Sequence, residues 1–207
     1  MNRNAKGIFL LGVLVALVIS AVFAGSAGAA PNWKFEAKEL TGSETVLGGA
    51  YESSMTIPGL TTKCENFLYK LTISNSAGTG KASLTEMPLY NCSTNSSACT
   101  VSSIGAEALP WAGSLKTVST KNYIVIEGVK VAINYSGAEC VLGGILVTVK
   151  GTAGGLLDNA TETATFDAAS FTATATQLKA LGQPIEWKGV FPTEAFEWHR
   201  EQALSVS

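Results

Sequence analysis

Alternation of apolar and polar residues with a period of two is the feature that most limits how this chain can fold. The apolar residues Phe67, Tyr69, Leu71 and Ile73 are separated by residues of the opposite face, such as Lys70. A strand with one buried face has this period. Further strands are predicted on the same grounds at residues 33–38, 82–89, 123–135, 140–149, 156–166 and 171–176. Short strands at regular spacing predict an all-β domain, either an antiparallel β-sandwich or a barrel.

Small and polar residues separate these runs. Residues 75–80, of sequence NSAGTG, predict a turn between two antiparallel strands. Ser136 and Gly137 predict the end of the long run before them, and the glycines of residues 151–155 predict a further break. The fold is therefore expected to consist of hairpins.

The C-terminal tail departs from the strand pattern. Thr193 followed by residues 194–197 (EAFE) predicts a short helix with Thr193 as its N-cap. The alternative is a last edge strand that contains Phe196, Trp198 and residues 204–206. We favour the helix.

The first 29 residues have the three parts of a secretory signal peptide. Arg3 and Lys6 precede an uncharged apolar run over residues 7–23, and Ala27-Gly28-Ala29 fits the small-residue cleavage pattern. The alternative is an uncleaved membrane anchor, but an anchor does not need small residues after its apolar run. We therefore predict a signal peptide at 1–29, a mature chain that begins at Ala30, and one exported domain over 30–207.

Composition narrows the set of partners. Charged residues make up 14% of the chain, against about 25% in ordinary soluble proteins. The formal net charge is −2. Without the leader it becomes −4, because residues 30–207 contain 12 basic and 16 acidic residues. This balance argues against a nucleic-acid partner. A membrane contact is expected only through the leader, if the leader stays uncleaved.

The four cysteines are expected to form disulfides, because export places them in an oxidising compartment. A hairpin turn centred on Gly78 would set Lys70 opposite Glu86 and Cys64 opposite Cys92. Opposed residues in an antiparallel pair are close enough for a disulfide. The prediction is therefore Cys64–Cys92 with Cys99–Cys140. The rival connectivities are Cys92–Cys99 with Cys64–Cys140, and Cys64–Cys99 with Cys92–Cys140.

Catalytic and metal-binding motifs are scarce in the sequence. His199 is the only histidine, and no G-x-S-x-G elbow, P-loop or G-x-G-x-x-G motif is present. The cysteines are not clustered as zinc ligands are. We predict neither a metal nor a cofactor, and a non-catalytic protein.

Two groups of acids are the candidates for a glycosidase, which needs paired carboxylates. These are Glu186 beside Trp187, and Glu194 with Glu197 beside Trp198. We interpret them as solvated surface acids.

The exposure of the four tryptophans distinguishes a glycan-binding module from a structural protein. Trp33, Trp111, Trp187 and Trp198 would stack on sugar rings if one sheet face exposed them together. A structural protein would bury them in its core. We favour burial.

The order of landmarks resembles a known group of proteins. Thr62-Lys63-Cys64 begins a hairpin, and Leu89-Tyr90-Asn91-Cys92 ends its return strand. The landmarks that follow are Cys99, Leu109-Pro110-Trp111, Cys140 and Lys150-Gly151-Thr152. This layout resembles small exported β-rich proteins of unknown function that occur in multiple copies in some actinobacteria. The resemblance implies export and a β fold, and it brings no activity or functional residues.

The function expected from the sequence is that of a non-catalytic exported or cell-envelope protein with a structural or binding role. The alternative is a glycan-binding module, and a glycan hydrolase comes third. Under the alternative, the partner would be a cell-wall or extracellular glycan.

Overall fold

Strands form all the regular secondary structure in the part of the chain that the structure describes. The computed structural model describes residues 30–35, 37–50, 52–167, 178–192 and 204–207. Its strands are β1 (Trp33–Phe35), β2 (Lys38–Glu39), β3 (Ser43–Ala50), β4 (Ser53–Ile57), β5 (Leu60–Ser76), β6 (Thr79–Glu86), β7 (Leu89–Thr94), β8 (Thr100–Ala106), β9 (Trp111–Val118), β10 (Lys121–Ser136), β11 (Leu146–Asp158), β12 (Thr163–Phe166), β13 (Lys179–Ala180), β14 (Gln183–Pro184), β15 (Glu186–Pro192) and β16 (Leu204–Val206). The predicted all-β class with antiparallel strand pairing is confirmed.

Two long strands, β5 and β10, organise the fold. Strand β5 pairs with β3 and β4 on one side and with β6 and β7 on the other. Strand β10 pairs in the same manner with β11 on one side and with β8 and β9 on the other. Each long strand is therefore the middle strand of an antiparallel sheet three strands wide, which we call its meander.

The strand pairing closes on itself. Strands β6 and β9 join the two meanders directly, and β12 and β15 join β11 back to β4. The closed circuit runs β4, β5, β6, β9, β10, β11, β12, β15 and again β4, and every pair in it is antiparallel. We call this circuit the strand ring. Closure removes most of the unpaired edges that an open sheet exposes.

The core is packed with β-branched residues from the paired strands β10 and β11. Val131 lies opposite Val149, and Ile133 lies opposite Val147. All four side chains are completely buried. Branched side chains suit this position because they pack well on a pleated surface.

A separate three-stranded sheet contains both ends of the described chain. Strand β1 lies between β16 and β2, with Trp33 opposite Val206 and Phe35 opposite Leu204. The edge strand considered for residues 204–206 is therefore present. The predicted helix at 194–197 and the predicted strand at 171–176 lie outside the described residues.

Several predicted boundaries were wrong. The first strand ends at Phe35, because Ala37 has a positive φ of 64° and the chain returns so that Lys38 pairs with Phe35. The turn predicted over residues 75–80 is only Ala77-Gly78, both with positive φ, as the tightest hairpin turns require.

The glycine-rich segment is the most instructive error. Strand β11 begins at Leu146 and continues through residues 151–155 to Asp158, where a turn separates it from β12. These glycines do not break the strand, and at Gly155 the ring of a neighbouring residue occupies the space where a side chain would be. A Cβ on Gly155 would lie 2.8 Å from the ring of Phe166.

Candidate functional site: an apolar cavity inside the strand ring

An internal cavity of about 70 Å³ lies within the strand ring. Its wall is built almost entirely from carbon atoms of side chains that several strands of the ring contribute. The lining residues are Trp33, Val46, Phe67, Tyr69, Leu71, Leu84, Met87, Trp111, Ile124, Ile126, Leu157, Ala164, Phe166, Trp187, Phe191 and Leu204. An apolar cavity of this kind stays free of water, since water needs polar partners.

Aromatic rings in mutual contact form one side of the wall. The ring centroid of Phe191 lies 4.9 Å from that of Phe67 and 4.9 Å from that of Phe166, and both pairs are edge-to-face. Phe166 stacks on Trp187 with a distance of 5.1 Å between ring centroids. Aromatic pairs at such distances stabilise a core beyond their buried area. The cluster therefore gives the cavity a stiff wall.

Glycines opposite these rings explain how so many aromatic side chains fit inside. Gly48 pairs directly with Tyr69, and Phe166 pairs with Gly155 on one side and Gly189 on the other. The Tyr69 ring occupies the place of a side chain at position 48. Aromatic residues across from strand glycines cover the exposed backbone in this way. The sequence signal that was missed is glycine inside a strand, which marks a close approach of another group.

Tyr69 brings a phenol to this wall. Burial raises the pKa of Tyr69 well above its ordinary value, because the phenolate would have to leave water. Its hydroxyl is therefore neutral at physiological pH, and the wall carries no charge.

The three described tryptophans are buried, as predicted, and each indole N–H has an acceptor. Trp33 donates to the Lys81 carbonyl at 2.9 Å and Trp111 to the Glu107 carbonyl at 2.8 Å. Trp187 donates to Ser53 Oγ at 2.8 Å. Their exposed fractions are 1%, 1% and 6%. These side chains face the cavity and form no platform on the surface.

The small sheet supplies part of the cavity wall through Trp33 and Leu204. Asn75 fastens it to the ring: its side chain accepts from the Trp33 N–H at 2.8 Å and donates to the carbonyls of Trp33 and Leu40. Asn159 binds the backbone of Val206 in the same two-way manner. We call this small sheet, residues 33–35, 38–39 and 204–206, the cover.

The cysteines lie where the hairpin argument predicts. Cys64 is joined to Cys92, opposite it in the β5–β7 pair, and Cys99 is joined to Cys140. The predicted pairing is confirmed, but the register has another origin. Strands β5 and β6 pair one residue out of the predicted register beside the turn, and a bulge next to Lys70 restores it.

Of the acidic residues considered for hydrolysis, only Glu186 lies in the part of the chain that the structure describes. Glu186 lies on the surface, 3.1 Å from Lys188. Glu194, Glu197, Trp198 and His199 lie outside the described residues. A surface groove beside Lys188 is lined by Glu52, Ser53, Ser54, Lys63, Lys188, Gly189 and Val190.

The described ranges contain no group of three or more metal-ligating side chains. They also contain no helix with the length and hydrophobicity to cross a membrane. No protein-family model, no curated protein and no solved structure matches this chain.

Proposed function

We propose that this protein is a non-catalytic exported or cell-envelope domain with a structural or binding role. The observation that carries the proposal is the pair of disulfides, which uses all four cysteines of the chain. Disulfides persist in oxidising compartments outside the cytoplasm. The leader pattern over residues 1–29 and the resemblance to exported β-rich proteins of actinobacteria support the same role.

The glycan-binding alternative has less support. It requires aromatic side chains exposed together on one face, and Trp33, Trp111 and Trp187 are buried instead. Tyr90 is half exposed on β7, and a single ring offers little area for stacking on a sugar. We therefore rank this alternative second.

Amino-terminal sequencing of material collected outside the cytoplasmic membrane tests export. We expect a mature chain that begins at Ala30 and contains no free thiol. An intact Met1, or an amino terminus inside the apolar run, would contradict the proposal. A glycan array probed with the mature domain tests the alternative, and we expect no specific binding.

A further inference from the structure

We propose that the cavity inside the strand ring is a binding site for a small hydrocarbon group of two or three carbon atoms. A dry apolar cavity of about 150 Å³ holds a benzene molecule, which has six carbon atoms. A cavity of about 70 Å³ is about half that size and has room for about three non-hydrogen atoms. This assignment goes beyond the proposed exported role, which rests on the disulfides and stands without it.

The wall determines which chemistry the site accepts. Nearly all of its accessible surface is apolar, and the indole N–H groups of Trp33, Trp111 and Trp187 already donate to protein oxygens. A hydroxyl or charged group would lose its hydration on entry and gain little in return. The site therefore selects hydrocarbon over polar groups of the same size.

The wall also keeps the cavity open. The Phe166 ring packs over Gly155 and stacks on Trp187, so turning it into the cavity would break both contacts. Elsewhere the core is tightly packed, with Val131 and Ile133 completely buried. Lining atoms beside a void lack dispersion contacts, and a hydrocarbon group would supply them.

The cover provides a route of entry that leaves the ring intact. Trp33 and Leu204 belong to the cavity wall, yet within the described ranges their strands pair only with each other and with β2. Displacement of the cover breaks the hydrogen bonds that Asn75 and Asn159 make to it and exposes its buried side chains, but it breaks no strand pair of the ring. Such local opening costs less free energy than unfolding of the whole domain.

Propane and ethanol provide a matched pair of ligands for the test, because each has three non-hydrogen atoms and they differ by a hydroxyl. Each is titrated into the folded protein with its disulfides intact, and methyl resonances are followed by NMR. We expect propane to shift the methyl signals of Leu71, Leu84 and Ile124 saturably. Ethanol should bind at least tenfold more weakly. The absence of a saturable propane shift, or equal affinity for both ligands, would overturn the proposal.

Replacement of either of two alanines by valine tests where propane binds. Ala164 is buried in the cavity wall, and Ala112 is exposed on β9 of the same ring. Ala164→Val fills part of the cavity and should weaken propane binding at least tenfold, whereas Ala112→Val should leave it unchanged. Val46→Ile, which adds one methylene to the wall, replaces Ala164→Val if that variant fails to fold. Equal affinity in the folded filled variant and in Ala112→Val would place the binding elsewhere and overturn the proposal.

Hexanoate separates two sources of the hydrocarbon group. If hexanoate shifts the same lining methyls, the site receives the end of an alkyl chain whose charged head stays outside. If propane binds and hexanoate does not, the site holds a free small hydrocarbon.

Discussion

The hydroxyls of Tyr135 and Thr62 lie 2.7 Å apart in the interior and form a buried hydrogen bond between β10 and β5. The two residues are 73 positions apart in the chain, and each belongs to the central strand of its meander. The bond therefore links the two halves of the fold where surrounding contacts are apolar. A buried polar group that loses its partner costs more than the bond itself contributes.

Removal of one hydroxyl should destabilise the protein, and removal of both should restore part of the loss. Tyr135→Phe leaves the Thr62 hydroxyl buried without this partner, at a cost of about 1–3 kcal/mol in the free energy of unfolding. The double variant Tyr135→Phe with Thr62→Val should lose less free energy of unfolding than the two single variants lose in total. Urea denaturation measures each value. Tyr90→Phe, at a half-exposed ring, is the control and should change stability by less than about 0.5 kcal/mol. Strict additivity in the double variant would contradict the coupling.

Alkaline pH should weaken the fold through two tyrosines. Burial raises the pKa of Tyr69 and of Tyr135, and the hydrogen bond between Tyr135 and Thr62 opposes part of the shift at Tyr135. A phenol whose folded pKa exceeds the unfolded value of about 10 contributes its full stability below that pH. That contribution is lost as the pH rises, because the unfolded chain releases the proton first.

Urea denaturation from about pH 8 to about pH 11 measures this loss, since the unfolded phenol ionises near pH 10. We expect the free energy of unfolding to fall above about pH 10. Tyr69→Phe should reduce the slope of this fall. An unchanged slope in Tyr69→Phe would show that Tyr69 ionises as easily in the folded protein as in the unfolded chain.

Alanine in place of a strand glycine should be costly beside the aromatic cluster and harmless elsewhere. Gly155→Ala sets a Cβ 2.8 Å from the Phe166 ring, which stacks on Trp187 and cannot move away without loss. We expect about 1–3 kcal/mol of destabilisation, the usual cost of overpacking. At Gly105, on β8, a Cβ meets no atom within 4 Å.

Gly105→Ala should therefore leave stability unchanged or raise it by up to about 1 kcal/mol, since the unfolded chain loses freedom. Thermal denaturation compares the two variants directly. Equal effects at the two positions would contradict the role given to Phe166.

Tryptic digestion without reduction should connect three peptides into one species. These are residues 64–70, 82–116 and 131–150, which carry Cys64, both Cys92 and Cys99, and Cys140. Mass spectrometry of the digest checks this. A separate, internally closed peptide 82–116 would indicate Cys92–Cys99 instead. Partial reduction with differential alkylation separates the confirmed pairing from the connectivity Cys64–Cys99 with Cys92–Cys140.

Substitution of both Cys99 and Cys140 by alanine tests what the second disulfide contributes. Loss of a crosslink that spans 41 residues should lower the free energy of unfolding by about 3–4 kcal/mol on the chain-entropy model. The same change at Cys64 and Cys92, which span 28 residues, should cost slightly less. A larger loss at the shorter crosslink would show that chain entropy is not the main term.

Local sequence determined the class of fold and the chemistry available to it. The period of two in residues 67–73 fixed which face of β5 is buried, and the opposite charges of Lys70 and Glu86 marked a cross-strand pair that forms at 3.0 Å. Both follow from residues close in the chain, whose geometry a strand or hairpin imposes directly. The four cysteines likewise limited the pairing to three possibilities.

Only the tertiary structure decided the ring, its cavity and its cover. Closure depends on contacts such as Glu186 with Thr56 and Lys81 with Ser114, between strands far apart in the chain. No local pattern specifies which distant edges meet. The glycines of β11 show the physical reason most clearly. In the sequence, Gly155 indicates a break in the strand. In the structure, glycine suits this position because Phe166 of the neighbouring strand fills the space that a side chain would occupy.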